Sequence, residues 1–395
     1  MFDRLPSKLI GAPVAALAAM ALAGCGASGA SGADDVLKLG VPYPQTGGYA
    51  DYGANFSDGV RLAVKQVNDD GGIDVDGKKV KVEAVFCDTQ VDTAKAASCG
   101  RRLASQDGTP AMLISTSAET FPVLAFNESA RNPFLVISSS ASNKLVTEGN
   151  ELVARYWFNT HSYMPEFTQL VKEGLESEGL TSQKVAIMQS EDEFGLAWYT
   201  TFKEGWEAQG EEVVGHATFA LGATDFYPQL TALLKSNPDF VAVPGVCAQI
   251  APIVNQAREL GYEGKFIFQI SCGPDELAQS VKPAELKGSI FEGSNWDLGS
   301  EPVAEFREAF KSEFDRDAVV ISADGYAQAM WAISAADEAE STSDPEALRA
   351  SMDDVLDQEW NILEIRDLEE SGETTTTVHP RFYTDATSIN DFRGE

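Results

Sequence analysis

The chain has 395 residues, of which 44% are hydrophobic, with 61 acidic against 29 basic side chains and a formal net charge of −32 at neutral pH. The apolar content is ordinary for a globular protein, but the charge argues against nucleic acid and anionic headgroups as partners, because both are densely negative. The length suits two domains with substantial cores.

The first 24 residues read as a secretory signal: Arg4 and Lys8 precede an apolar run from Leu9 to Leu22, and small residues lead to Cys25. Leu22, Ala23, Gly24 and Cys25 resemble the lipobox of bacterial lipoproteins, which implies cleavage before Cys25 and lipidation of its sulfur. Residues 25–34 then form a Gly/Ala/Ser tether with a reach on the order of 17 Å. No later apolar run is long enough to span a bilayer. Cleavage leaves 371 residues and, because Arg4 and Lys8 outweigh Asp3, a net charge of about −33.

Strand-like and helical patterns alternate along the rest, the signature of parallel βα units. Strands are predicted at 36–42, 79–86, 111–115 and 133–138 in a first lobe. The segment after the first strand carries Phe56, Val60, Ala63, Val64 and Val67 on one helical face, and Gly71 and Gly72 stop it. A second lobe is predicted from strands at 155–160, 184–189, 212–219, 239–244, 265–270 and 288–293. Helices follow near 301–315, 322–340 and 345–355, with β-structure around Gly372. The fold class is therefore α/β, two doubly wound parallel-sheet lobes.

In open α/β sheets, ligands sit beyond the carboxyl ends of the strands. In the first lobe that edge carries PYPQTGGYADYG (42–53), STSAE (115–119) and SSSASN (138–143); in the second it carries QSEDEFG (189–195), PGVCAQ (244–249) and QISCGP (269–274). The cluster at 138–143 has four hydroxyls in five positions, which suits a nucleophile, a linker or a ligand-gripping loop. Its place on the same edge as the other loops favours the grip, and no basic partner for a nucleophile is near it in sequence.

Cys87, Cys99, Cys247 and Cys272 remain after Cys25, without a C-x-x-C spacing, so disulfides are expected and zinc is not. Four thiols allow three pairings; Cys87–Cys99 and Cys247–Cys272 are expected because each pair is close in the βα order. His161, His216 and His379 are scattered and read as structural, although His161 follows a strand near the lobe crossover. Catalytic motifs of the common hydrolase, zinc-protease and nucleotide-binding types are absent from the sequence, so neither an enzyme nor a cofactor is expected.

PYPQTGGYADYG, NDDGGI and PFLVISSSASN, in that order over the first 110 residues after the leader, resemble the solute-binding proteins of bacterial ABC importers, closest to the branched-chain amino acid type. The resemblance implies the type I periplasmic binding protein fold, with a hinge crossed three times: residues 35–158 plus about 290–374 in the amino-terminal lobe, and 159–289 plus about 375–395 in the other. It implies capture of a small solute by Venus-flytrap closure and delivery to a membrane permease driven by ATPase subunits, by a monomer held at the membrane through its lipid anchor. The solute classes it leaves are an amino acid, an amide or urea-like compound, or a small carboxylate. An alternative is a sensor using the same module for a separate signalling partner.

Carried over by position, the resemblance assigns ligand contacts to Ser117 with Ser115, to the Ser140 backbone, to the Ser142 hydroxyl, to Tyr52 and, from the opposing lobe, to Phe194. Helix capping is the competing role for each serine. This chain departs from the family where amino-acid binders place an acid against the ligand ammonium. Gln269, Ile270 and Ser271 stand there, and Tyr163 aligns with a second family aspartate. Glu191 and Asp275 are the candidate substitutes.

Overall fold

The computed structural model describes residues 36–383 and a short strand at 389–391; the expected leader, the Cys25 anchor and the tether 25–34 lie outside the described residues, as do 384–388 and 392–395 of the expected tail. β1 (Val36–Tyr43) is buried along nearly its whole length, as a strand must be when helices cover both faces of a parallel sheet. It pairs in parallel with β3 (Lys78–Asp88) and β4 (Ala111–Ile114), and β5 (Leu135–Ser138) and β6 (Val153–Arg155) continue the sheet. β2 (Ile73–Val75) folds back antiparallel on β3, giving the order β2-β3-β1-β4-β5-β6. The turn of that hairpin is Asp76-Gly77, both at positive φ (51° and 74°), the geometry that matches the twist of a two-residue hairpin.

The second sheet runs β13-β12-β11-β10-β9-β7-β8. Its parallel members are β7 (Lys184–Ser190), β8 (Glu212–Phe219), β9 (Phe240–Val243), β10 (Lys265–Phe268) and β11 (Ile290–Gly293), and β12 (His379–Tyr383) and β13 (Ile389–Asp391) add antiparallel. The run predicted as a second-lobe strand at 155–160 is different: Arg155 ends β6 in the first sheet, and a helix begins at Thr160. Tyr156, Trp157 and Phe158 between them are buried. Their apolar pattern comes from threading the crossover through the core, not from a β-face.

β11 belongs to the second sheet, so the chain leaves that lobe after Gly293, slightly beyond the expected 290. It then packs helix Val320–Glu338 against helix Ala50–Asp69 of the first lobe. A Cβ on Gly59 would lie 2.0 Å from the Ser322 carbonyl oxygen, and one on Gly325 would lie 2.0 Å from that of Phe56, so the two backbones touch because both positions lack side chains. Among the described residues no helix is long and apolar enough to cross a membrane.

Cys87 is bonded to Cys99 and Cys247 to Cys272, with Cα separations of 5.7 and 4.9 Å. The second bridge joins the loops after β9 and β10 across 25 residues of sequence. Replacing both its cysteines by serine should lower stability by about 3 kcal/mol, chiefly by freeing the unfolded chain. Urea unfolding measures this, and a loss below about 1 kcal/mol would show that the bridge constrains little.

Candidate ligand-binding site

At the end of β4, Thr116 caps helix Ser117–Leu124 by accepting the Glu119 N–H, and the Glu119 carboxylate accepts from the Thr116 hydroxyl at 2.8 Å and from Thr89. This reciprocal cap fixes Ser115 and Ser117 on either side of Thr116. The Ser115 carbonyl accepts from the Tyr52 hydroxyl at 2.9 Å, while its own hydroxyl is buried with no partner among the described residues. At the end of β7, Asp192 caps helix Glu193–Ala208 through the Gly195 N–H and also accepts from the Ser190 hydroxyl at 2.5 Å.

These edges enclose a cavity of about 40 Å³ between the lobes. Tyr49, Tyr52, Ser115 and Ser117 face Asp192 and Phe194 across it, and Trp157 of the crossover closes one end. Four helix starts flank it, at Ala50, Ser117, Glu193 and Cys247, the first and last without a side-chain cap. Their unpaired first-turn N–H groups favour a partial negative charge on whatever binds.

The lobes are closed on one another. The Tyr49 hydroxyl donates to Gln249 Oε1 at 2.9 Å, the Ser142 hydroxyl to Glu193 Oε1 at 3.0 Å, and Lys144 Nζ lies 2.7 Å from Glu193 Oε2. Each contact joins a first-lobe residue to a second-lobe one. The Gln249 amide nitrogen, like the Ser115 hydroxyl, is buried without a partner among the described residues, and such groups in a closed site suit a solute or water.

Tyr52, Ser115, Ser117 and Phe194 thus share the cavity, and Ser140, Ser142 and Tyr163 do not line it. Ser140 is fully engaged behind the wall: its N–H donates to Ser138 Oγ, its carbonyl accepts from Arg155, and its hydroxyl pairs with that of Ser117 at 2.8 Å. Its backbone is therefore not available to a ligand in this closed form. Ser142 spends its hydroxyl on Glu193, a latch between the lobes. Tyr163 is buried in the second lobe and donates to Glu292 Oε2 at 3.0 Å. Of the candidate acids, Glu191 is exposed, and Asp275 lines a separate cleft.

Sequence reasoning missed Asp192, Tyr49, Trp157 and Arg155. Asp192 carries a readable signal, since an Asp three residues before Gly195 in QSEDEFG fits an N-cap at a strand's carboxyl end. Arg155 is fully buried, forms an ion pair with Glu373 at 2.7 Å and donates to the Ser140 and Ser142 carbonyls. Glu373 also accepts from the Asn159 amide at 2.6 Å. The hydroxyl cluster therefore rests on a charged post at the crossover.

Beneath Ser139, Asp324 is buried and burial pushes its carboxyl up to about 8, against hydrogen bonds from Ser139 at 2.5 Å and Gln328 at 3.0 Å. Burial likewise pushes Glu119 and Glu292 up to about 7. An acid whose pKa is higher folded than unfolded binds more protons in the folded state, so stability falls as pH rises from about 4 to about 8. Asp324→Asn should flatten that fall and raise stability at pH 8. Urea midpoints at pH 5 and pH 8 measure it, and an unchanged slope would remove Asp324 from the account.

Two α/β lobes closed on a cavity lined by aromatic rings, serine hydroxyls and one carboxylate define a two-lobed binding protein. Residues 36–361 match the periplasmic binding protein family, and the chain belongs to that family, one of extracytoplasmic binding proteins and not of enzymes. It is 26% identical over 255 residues to an amino acid binding protein of Pseudomonas aeruginosa, covering 64% of this chain and 65% of that protein, less than two thirds of its length. It is 25% identical over 261 residues to the Leu/Ile/Val/Thr-binding protein of Salmonella typhimurium, covering 66% and 67%. Among solved structures, a leucine binding protein from Thermotoga maritima has a TM-score of 0.75 at 22% identity, covering 90% of this chain and 97% of that one. A solute binding protein from R. palustris in complex with benzoate has a TM-score of 0.74 at 15% identity, covering 90% and 95%. The last two likenesses are of fold.

Proposed function

We propose that the chain is the solute-capturing receptor of an ABC importer, held outside the membrane through Cys25 and delivering a short, nitrogen-bearing polar solute to a permease. The observation that carries this reading is Asp192, which faces the Ser115 and Ser117 wall across a closed cavity. On the serine side, hydroxyls and helix N–H groups suit a carboxylate or carbonyl oxygen. On the opposite side a carboxylate suits an ammonium or amide N–H. Amino acids and amide or urea-like compounds satisfy both walls. A simple carboxylate leaves Asp192 facing a like charge.

Size narrows the choice. A cavity of about 40 Å³ has room for about three water-sized groups, which favours glycine, alanine or a urea-like amide over leucine. In this reading the binding contacts are Tyr52, Ser115, Ser117, Phe194 and Asp192, while Ser142 acts on closure. Melting-temperature shifts of the chain expressed from residue 26, with glycine, alanine, leucine, urea, acetamide and acetate, test it. The expected result is a saturable rise with a short nitrogen-bearing solute and none with acetate. A rise with acetate alone, or loss of an added solute by turnover, would overturn it.

A further inference from the structure

A second cavity, of about 590 Å³, lies beside the first, between helix Glu301–Phe314 and the loops after β10 and β11. Ile270 lines it, and the next residue, Ser271, lines the inter-lobe cavity. Arg381 of β12 lines it too and is 8% exposed, and its Nε and Nη2 have no hydrogen-bond partner among the described residues. At the rim Arg307 stacks its guanidinium 4.1 Å from the Trp296 ring centroid and donates to the Trp296 carbonyl at 2.9 Å.

A guanidinium does not shed its proton at any physiological pH, so Arg381 cannot relieve burial by becoming neutral. A buried charge without a partner is strongly unfavourable. Asp297 is the obvious internal partner, and it lies within electrostatic reach of both arginines. Its Oδ2, however, accepts the Ser294 N–H at 2.8 Å in the cap of the next helical turn, and no ion pair joins it to Arg381 or Arg307 among the described residues. Asp275, Glu276, Glu292, Glu308 and Asp317 also line the cavity beside Lys311. Asp275, Glu308 and Asp317 are exposed, so water screens their repulsion of an incoming anion, and burial pushes Glu276 and Glu292 up to about 7, which weakens theirs.

We infer that this cavity is an anion-binding site, separate from the solute cavity, in which Arg381 and Arg307 receive a small oxyanion, either a free inorganic one or the carboxylate of an organic acid. Planar guanidinium forks match the paired oxygens of such groups.

Thermal unfolding of the chain expressed from residue 26 tests this at constant ionic strength, with sodium chloride as the reference and phosphate, sulfate or succinate as probes. The expected result is a saturable rise in melting temperature with millimolar oxyanion. The rise should vanish in Arg381→Met and shrink in Arg307→Met. Without any oxyanion, Arg381→Met should melt no lower than the parent, because it removes an unpaired buried charge. A response to phosphate and sulfate identifies an inorganic ligand; one to succinate alone identifies an organic acid. No rise with any probe, or an equal rise in Arg381→Met, would overturn the site. So would a lower melting temperature of Arg381→Met in chloride, which would mean the guanidinium is paired within the chain.

Discussion

Arg155→Met should destabilise the protein by about 3–5 kcal/mol, the usual cost of removing one partner from a buried ion pair. Arg155 is fully buried, and its loss strands Glu373 and takes the donor from the Ser140 and Ser142 carbonyls. The effect should not stop at stability. Ser140 backs Ser117 through a 2.8 Å hydroxyl pair, and Ser142 makes the Glu193 latch, so solute affinity should fall even where the variant remains folded. Glu373→Gln keeps an acceptor for Arg155 and should cost less. Urea unfolding and solute titration on the same samples separate the two effects. A fully stable Arg155→Met would mean that the post does not hold the loop.

Asp192→Asn should cost about 2–5 kcal/mol in solute affinity, the range for losing one side of a buried, hydrogen-bonded charge pair. The choice of asparagine isolates the charge. Asparagine caps helices about as well as aspartate, so helix Glu193–Ala208 should stay capped and unfolding stability should hold. If affinity is unchanged, the solute presents no positive or N–H group to the second lobe. If stability falls in step with affinity, Asp192 acts mainly as a cap.

These two residues also mark where the sequence stopped being readable. The alternation of strands and helices is visible because parallel strands are continuous apolar runs, and the carboxyl-end loops follow from that order. Tyr52, Ser115, Ser117 and Phe194, which the family resemblance assigns, sit on such loops and line the cavity. Three placements needed the fold. Ser140 and Ser142 have the chemistry of ligand contacts, but Arg155 and Glu193, 15 and 51 residues away, claim their polar groups. The run Tyr156, Trp157, Phe158 looks like a strand because it is apolar, and it is apolar because both lobes bury it.

The hairpin of β2 and β3 carries a strong local turn signal, Asp76-Gly77 between Val75 and Lys78. The acid opposite the serines was sought among Glu191 and Asp275, whereas Asp192 supplies it from the loop already chosen for Phe194. One residue of register decides which side chain of an exposed turn looks inward, and sequence pattern does not fix that register in a loop.

Native mass spectrometry of the chain expressed from residue 26, compared between the parent and Asp192→Asn, tests the central claim most directly. The account predicts one short, nitrogen-bearing solute bound per chain in the parent and its loss in the variant, with both proteins equally folded. A parent that takes up none of the offered solutes, or a variant that retains the solute unchanged, would contradict it.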